Sequence, residues 1–225
     1  MLCAMSARFP TVLFALAFVH TIGAADVSDL NPHEEEMLAY EKHDRQEPPR
    51  RGAILFLGGM HFKTWEPIGQ DFPPSLTIIG RGFSRWSMKD SVRFAARTSI
   101  PYQPRTIVLQ AGSVDLREGR TPEEVLALFQ SYVATVRTKL PGTRIIFLSL
   151  SPSFYSWNNR GPQIQVNRLI AEYVAKGANL GFIDIWTPML GPDGAPRSDM
   201  FMTDSYQPSR ESFLLRAKVI TPYLR

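Results

Sequence analysis

The histidines and the single cysteine, which could act as a base or a nucleophile, all lie within the first 61 residues of this sequence. The four histidines are His20, His33, His43 and His61, so none follows residue 61. The one cysteine is Cys3. A serine nucleophile needs a base within hydrogen-bond reach, and histidine is the usual base. The distribution of histidines therefore argues against a conventional serine–histidine site in the later part of the chain.

Two unconventional combinations of side chains remain open. Ser84 with His61 as its base would form a displaced serine site, because both residues are predicted near the ends of neighbouring strands. Loop serines more often form turns and caps, and a lone histidine is more often a satisfied surface residue. Asp115 and Asp204 would be able to share a metal ion, but two carboxylates without histidine support are a weak metal signal. We therefore predict no metal site and no cofactor.

The elements that would position these side chains follow from the pattern of apolar residues. Five short, β-branched apolar runs predict strands at residues 53–57, 76–79, 106–110, 144–150 and 181–185. Amphipathic segments predict helices at residues 87–96, 122–139, 162–176 and 210–223. Buried strands that alternate with helices predict an α/β fold with a doubly wound parallel sheet. The ligand crevice of such a sheet lies at the carboxyl ends of its strands.

The segment before the first strand divides into two parts. Residues 1–25 resemble a secretory signal, with Arg8, an apolar run at residues 9–19 and small residues at Gly23, Ala24 and Ala25. The alternative is an uncleaved membrane anchor, although the run is shorter than the roughly 20 residues that a spanning helix needs. Residues 26–52 predict a polar helix over 29–46, starting near Asn31, followed by a proline-rich linker. The main domain is predicted at residues 53–225.

Composition restricts the location and the partners of the protein. The 225 residues are 44% hydrophobic and 20% charged, which is typical of one globular domain with its own core. Cleavage after residue 24 or 25 would remove Cys3 and leave no disulfide, no thiol nucleophile and no membrane span. We therefore predict a secreted or periplasmic protein. The formal net charge of +4 comes without a run of lysines, so nucleic acid is not a predicted partner.

Four turns at the predicted strand ends form a recognisable set. They are Leu57-Gly58-Gly59-Met60, Gly80-Arg81-Gly82-Phe83-Ser84-Arg85, Ala111-Gly112-Ser113-Val114-Asp115 and the loop from Met202 to Ser209. Together with the connecting sequence, they resemble the SGNH (GDSL-type) esterase and lipase family over residues 34 to 225. The resemblance implies a flavodoxin-like three-layer α/β/α fold with a five-stranded parallel sheet. It also implies descent from carboxylic ester hydrolases.

The resemblance places unusual residues at the family's catalytic positions. The serine nucleophile position holds Met60, whose thioether cannot attack an acyl carbon. The oxyanion-hole glycine falls on Arg85, or on Ser84 if the alignment slips by one residue. The asparagine donor is replaced by Val114 and the histidine by Gln207, so that only the orienting acid, Asp204, remains. Together these replacements predict a degenerate member of the family with hydrolysis close to background.

The replacements also predict what the crevice would hold. Met60, Val114 and the aromatic residues Phe83, Trp86 and Tyr206 would make it more apolar, while Arg85 would bring in a guanidinium. An acyl chain, a carboxylate or a glycan would suit such a crevice, and we assign ligand contacts to Met60, Arg85, Val114, Tyr206 and Gln207. A carbohydrate-contacting rim is predicted at Tyr155, Trp157, Asn158 and Asn159. The alternative is that Arg85 points to solvent and the aromatic residues simply pack.

Three functions remain open from the sequence. The first is an inactive pseudo-hydrolase that acts as a binding or scaffolding module. The second is a working esterase or lipase with an unconventional site. The third is a relic whose fold serves only contacts with an unknown protein partner, and fold resemblance alone does not separate it from the first.

Overall fold

The computed structural model describes residues 31–203 and 207–224. The predicted signal segment, the first residues of the predicted polar helix, Asp204 and Tyr206 lie outside these ranges. In chain order the elements are α1 Glu34–Gln46, β1 Ile54–Gly58, α2 Met60–Lys63, β2 Ile78–Gly82, α3 Met88–Arg93, α4 Ala95–Thr98, β3 Thr106–Gln110, α5 Ser113–Arg117, α6 Pro122–Lys139, β4 Arg144–Leu148, α7 Arg160–Val174, β5 Leu180–Ile183 and α8 Arg210–Ile220.

The five strands form one sheet in the order β2-β1-β3-β4-β5, and every neighbouring pair is parallel. This confirms the predicted α/β fold with helices on both faces of the sheet. In strand β1, Ile54 pairs with Ile78 of β2 on one side and with Thr106 of β3 on the other. The three strands therefore start level and also end level, which brings the loops that follow them to one edge.

Strand β2 lies later in the chain than its apolar residues predicted, at residues 78–82 and not 76–79. Its end carries two glycines that weaken the strand signal, yet one of them is required by packing. A Cβ atom on Gly82 would lie 2.0 Å from the backbone nitrogen of Lys63, so α2 packs directly on the strand backbone. Helix packing therefore explains a glycine that the sequence pattern assigned to a loop.

The strand side chains alternate between two apolar clusters, one on each face of the sheet. Leu55, Ile107 and Phe147 pack in the cluster that includes residues of α6 and α7. Phe56, Val108 and Ile146 pack in the other cluster, which includes residues of α2 and α8. All six side chains are fully buried, so the sheet is covered on both faces, as parallel sheets usually are.

The remaining differences from the predicted helices are local. The single helix predicted at 87–96 is two short helices that meet at Phe94, and α7 begins at Arg160, before the predicted start. Helix α1 begins at Glu34 and packs on the domain, where the Tyr40 hydroxyl donates to the Gly82 carbonyl at 2.8 Å. Residues 33–225 form one compact unit. Within the described residues, no helix is long and apolar enough to cross a membrane.

Candidate functional site

The loops after β1, β2 and β3 meet at one edge of the sheet. Gly58, the last residue of β1, pairs with Gly82 at the end of β2 and with Gln110 at the end of β3. The Phe83 N–H donates to the Gly58 carbonyl at 2.9 Å and ties the first two loops together. The crevice predicted at the carboxyl ends of the strands is therefore built from these loops.

Met60 is the first residue of α2 and follows Gly59, whose backbone is extended. Its side chain is half-buried. The Met60 carbonyl accepts hydrogen bonds from the backbone N–H and the hydroxyl of Thr64, both at 2.9 Å. The strand-turn-helix geometry that presents a side chain at this position is thus in place, and the side chain presented is an uncharged thioether.

Arg85 lies in the loop after β2 and has a left-handed backbone conformation, with φ of 53°. This region of conformational space favours glycine. The side chain of Arg85 is exposed to solvent, which matches the alternative that the sequence left open. The loop therefore has a glycine-type backbone conformation at an arginine.

Phe83 and Trp86 do not line the crevice but pack in the core, which is the alternative that the sequence left open for the aromatic residues. Each side chain is only 1% exposed, and their rings stack with centroids 4.3 Å apart. The indole nitrogen of Trp86 donates to the Ser91 hydroxyl at 2.8 Å. Both rings are core residues because α1, α3 and β2 enclose them. Tyr206, the third predicted aromatic residue, lies outside the described residues.

Ser84 is held by a carboxylate that sequence reasoning missed. The Ser84 N–H donates to both oxygens of Glu36 at 3.1 Å, and its hydroxyl donates to Glu36 Oε1 at 2.9 Å. Lys63 Nζ donates to the Ser84 hydroxyl at 2.7 Å and also contacts Glu36. The partners are far apart in sequence, and only the docking of α1 brings them together.

The charge of Glu36 is stabilised by this arrangement. Burial alone would raise the pKa of Glu36, but the hydrogen bonds from Lys63 and Ser84 outweigh it and hold the pKa below its usual value. Glu36 is therefore an anion at neutral pH and occupies the Ser84 N–H, one of the two candidate oxyanion donors.

Val114 is the second residue of α5 and is 6% exposed. It follows Gly112, whose φ of 127° is open to glycine but strained for other residues. Asp115 is fully buried, and its carboxylate accepts from the backbone N–H groups of Met88 at 2.6 Å and Lys89 at 3.2 Å. Burial raises the pKa of Asp115 although these bonds oppose it. Asp115 thus fixes the start of α3, which is a structural role.

The structure describes only part of the last motif. Asp204, the candidate partner of Asp115 in a metal site, lies outside the described residues. Gln207 is exposed, and its backbone carbonyl accepts from the Met202 N–H at 2.9 Å. Within residues 31–203 and 207–224, no group of three histidine, cysteine, aspartate or glutamate side chains is arranged to hold a metal ion.

A second feature that sequence reasoning missed is a buried arginine beneath the crevice. Arg216 of α8 has no exposed surface. Its guanidinium donates to the Ser151 hydroxyl at 2.7 Å and to Gln110 Oε1 at 3.3 Å, while its Nε approaches the Ser212 hydroxyl at 3.4 Å. Among the described residues it has only neutral partners. The sequence signal that would have indicated its burial is its position on the apolar face of α8, which also carries Phe213 and Ile220.

His61 is half-buried and does not contact Ser84. Burial lowers the pKa of His61 well below its usual value, and the charge of Arg216 lowers it further. Its imidazole is therefore neutral at physiological pH. Because the Ser84 hydroxyl is engaged by Glu36 and Lys63, the described residues contain no Ser84–His61 pair.

A small cleft opens beside Val114. Its volume is about 230 Å³, and it lies between α5, the 3-10 turn at residues 154–159 and the first turn of α7. The residues that line it are Ser113, Leu116, Arg117, Tyr155, Ser156, Asn159 and Gln163. Two residues of the predicted carbohydrate rim, Tyr155 and Asn159, thus line a cleft, whereas Trp157 stacks on Trp186 with centroids 6.1 Å apart.

The loops and the sheet together define a class of protein. The chain belongs to the GDSL-like lipase/acylhydrolase family, whose sequence model matches residues 58–211. None of the curated proteins compared by sequence matches the chain.

Solved structures share this fold at low sequence identity. A protein from Streptococcus pneumonia whose name refers to platelet activating factor has a TM-score of 0.74 at 18% identity, covering 86% of this chain and 93% of its own. A GDSL-like lipase from Bacteroides thetaiotaomicron has a TM-score of 0.69 at 18% identity, covering 84% and 96%. A carbohydrate esterase family 3 protein from Talaromyces cellulolyticus has a TM-score of 0.54 at 18% identity, covering 76% and 95%.

Proposed function

We propose that this protein is an exported, catalytically inactive member of the GDSL-like family that acts as a binding or scaffolding module. The observation that carries the proposal is Met60 at the start of α2, where the family's turn presents a nucleophile. A thioether has no proton to lose and forms no acyl-enzyme intermediate. Without a nucleophile at this position, the fold retains a crevice but not the chemistry.

The oxyanion site supports the same proposal. An oxyanion hole works through N–H groups that are free to bind the developing negative charge. The Ser84 N–H already donates to Glu36, and Val114 offers no side-chain donor. A tetrahedral intermediate would have to displace a resident carboxylate and would be repelled by it.

One contact favours the second candidate, an esterase with an unconventional site. Lys63 Nζ lies 2.7 Å from the Ser84 hydroxyl, which is the spacing of a serine–lysine pair. However, Lys63 also contacts the Glu36 carboxylate. The Lys63 amine is therefore already engaged by a carboxylate, which leaves it poorly placed to accept the Ser84 proton. We therefore rank this candidate second.

The experiment that separates the two candidates is active-site labelling. The purified mature chain should leave short-chain nitrophenyl esters unhydrolysed above a Ser84→Ala control and should not react with a fluorophosphonate probe. Stoichiometric labelling at Ser84, lost in Ser84→Ala and reduced in Lys63→Met, would establish the esterase and reject the pseudo-hydrolase.

Restoration of the missing groups provides a second test. The combined variant contains Met60→Ser, Arg85→Gly, Val114→Asn and Gln207→His. It should gain serine-dependent ester hydrolysis, while each single change should not, because these groups act as a unit. A folded fourfold variant without such hydrolysis would mean either that the loops have moved beyond the roughly 1 Å tolerance of catalysis or that Glu36 still blocks the Ser84 N–H, and adding Glu36→Gln would distinguish the two.

Export is part of the proposal and has its own test. Arg8, the apolar run and the small residues at 23–25 support cleavage by a signal peptidase. Mass spectrometry of the protein recovered from the cell envelope or the medium should find Ala25 or Asp26 at the amino terminus. An intact Met1 in soluble cytoplasmic material would contradict export.

A further inference from the structure

The cleft beside Val114 contains a buried amide that has no hydrogen-bond partner. Gln163 is 6% exposed and lines the cleft, and its side chain forms no hydrogen bond with any described residue. The amide atoms of Gln163 are not sealed from the cleft, so water can satisfy them in the free protein. A ligand in the cleft would replace that water at a side chain whose position is fixed by burial.

A neighbour on the same helix shows that α7 is able to satisfy a buried amide. Asn167 lies one turn after Gln163 and is 9% exposed. Its Oδ1 accepts from the Leu150 N–H at 2.7 Å, and its Nδ2 donates to the Leu150 carbonyl at 3.2 Å. The two amides therefore differ in role: Asn167 binds the loop after β4, and Gln163 faces the cleft with its donors and its acceptor unused.

Three other polar side chains that line the cleft form no hydrogen bond or ion pair with the described residues. Arg117 is exposed and forms no ion pair with a described carboxylate, unlike Arg120, whose Nε lies 3.8 Å from Asp115. The Ser113 hydroxyl and the exposed Asn159 amide form no hydrogen bond with the described residues. The Tyr155 ring is 74% exposed at the edge of the cleft. The cleft thus combines two amides, a hydroxyl, a cation and an aromatic ring.

We propose that this cleft binds one sugar ring that carries a carboxylate, which gives the binding module of the previous section its ligand class and rests on that proposal. The amides of Asn159 and Gln163 would pair with ring hydroxyls, and Tyr155 would cover the apolar face of the ring. The Arg117 guanidinium would pair with the carboxylate.

The size of the cleft agrees with a single ring. Sites that bury drug-sized ligands typically measure roughly 300–1,000 Å³. A cleft of about 230 Å³ is smaller than these and would hold one ring of a longer glycan while the rest stays in solvent. We therefore expect weak binding by a monosaccharide and tighter binding by an oligomer that repeats the same acidic ring.

The test uses the mature chain and three probes, which are chosen to separate the contribution of the sugar ring from that of the carboxylate. Glucuronic acid has both the ring and the carboxylate, glucose has the ring alone, and acetate has the carboxylate alone. In a titration followed by ¹H–¹⁵N NMR, glucuronic acid should shift the amide signals of residues 113–117 and 155–163. Its affinity should exceed those of glucose and acetate by about tenfold or more, because one charge-assisted contact is worth at least that factor.

Two substitutions with matched controls assign the roles. Gln163→Leu should weaken binding of glucuronic acid at least tenfold while leaving the melting temperature nearly unchanged, because the amide forms no hydrogen bond with the described residues. Gln165→Leu, on the same helix but outside the cleft, should leave binding unchanged. Arg117→Gln should reduce binding of glucuronic acid to the level of glucose, whereas Arg168→Gln on α7 should not.

Several results would overturn the inference. They are an absence of shifts at residues 113–117 and 155–163, equal affinity for glucose or acetate and glucuronic acid, and unchanged binding by both Gln163→Leu and Arg117→Gln. If Gln163→Leu does not fold, Arg117→Gln decides alone. Fluorophosphonate labelling tests the pseudo-hydrolase independently, so either proposal can fail while the other stands.

Discussion

Two buried arginines on opposite sides of the domain are stabilised in different ways. The first region, which we call the α1 side, consists of α1, β2 and α2. In this region Arg81 contacts a carboxylate. On the α8 side, meaning α8 with the ends of β3 and β4, Arg216 meets only neutral groups among the described residues. The comparison separates charges that hold the fold together from a charge that the fold merely tolerates.

The α1 side pairs its charges across long stretches of sequence. Arg81 contacts Asp44 of α1, and its Nε donates to the Tyr102 hydroxyl at 2.8 Å. Arg97 forms ion pairs with Glu34 and Glu41, both at 2.7 Å. These pairs fix the position of α1 on the sheet. The same docking brings Glu36 onto Ser84.

On the α8 side, the hydrogen-bond partners of the buried arginine are neutral polar groups. Gln110 accepts from Arg216, and its own amide nitrogen donates to the Ser149 carbonyl at 2.6 Å. Burial without an opposite charge lowers the pKa of Arg216 to about 9. A charged group in this environment carries an uncompensated desolvation penalty, and hydrogen bonds offset only part of it.

The largest expected effect comes from removing the partner on the α1 side. Asp44→Asn leaves Arg81 buried without its carboxylate and should lower the free energy of unfolding by about 3 kcal/mol. Chemical denaturation at pH 7 measures the loss. Asp193→Asn, in an exposed turn, is the matched control and should change stability by less than about 0.5 kcal/mol. Equal effects for the two substitutions would mean that the Arg81–Asp44 pair does not anchor α1.

A smaller effect is expected from Glu36→Gln, which removes a charge but keeps the shape. Three hydrogen bonds to a half-buried carboxylate become weaker, so stability at pH 7 should fall by about 1–2 kcal/mol. The pKa of Glu36 is lowered in the folded state, so its contribution is present above its ordinary pKa of 4.5 and is lost as the pH falls further. The difference between native protein and variant should therefore shrink below about pH 4.5. A difference that is constant from pH 7 to pH 3 would contradict this account.

The smallest effect at neutral pH is expected from Arg216→Met. Loss of three bonds to neutral groups and relief of the desolvation penalty oppose each other, so stability at pH 7 should change by less than about 1 kcal/mol. Because the folded state lowers the pKa of Arg216, the penalty is present below about pH 9 and fades above it. The native protein should thus gain stability relative to Arg216→Met between pH 8 and pH 10. A loss near 3 kcal/mol at pH 7 would make the two arginines equivalent.

Much of the fold was predictable because strands and long helices carry strong periodic signals. Strand β3 and helix α6 have the predicted bounds, since β-branched runs and a proline at the first helical turn mark them clearly. The end of β2 was not predictable from propensity, because its glycines serve the contact with α2. The break at Phe94 depends on packing and has no strong local signal.

For the candidate site, the sequence predicted where single residues lie but not the contacts between residues that are distant in the chain. Local motifs placed Met60, Arg85 and Val114 at one edge of the sheet, where the register of the strands brings their loops. The carboxylate on Ser84 depends on α1 docking 48 residues away in sequence, and no local pattern records that distance. Gln163 resembles any glutamine on an amphipathic helix, because only neighbours from other elements decide whether its amide is satisfied.

The position of Asp115 has a consequence for how this sequence can change over time. Its carboxylate caps α3, so substitution there would damage a helix start, whereas the adjacent position 114 needs only an apolar side chain that fits. Two neighbouring residues of one turn thus meet separate structural demands, because one supports a helix start and the other only fills space. Substitutions at position 114 can therefore change the chemistry of the crevice while the loop keeps its shape, and such a crevice can accept a different ligand.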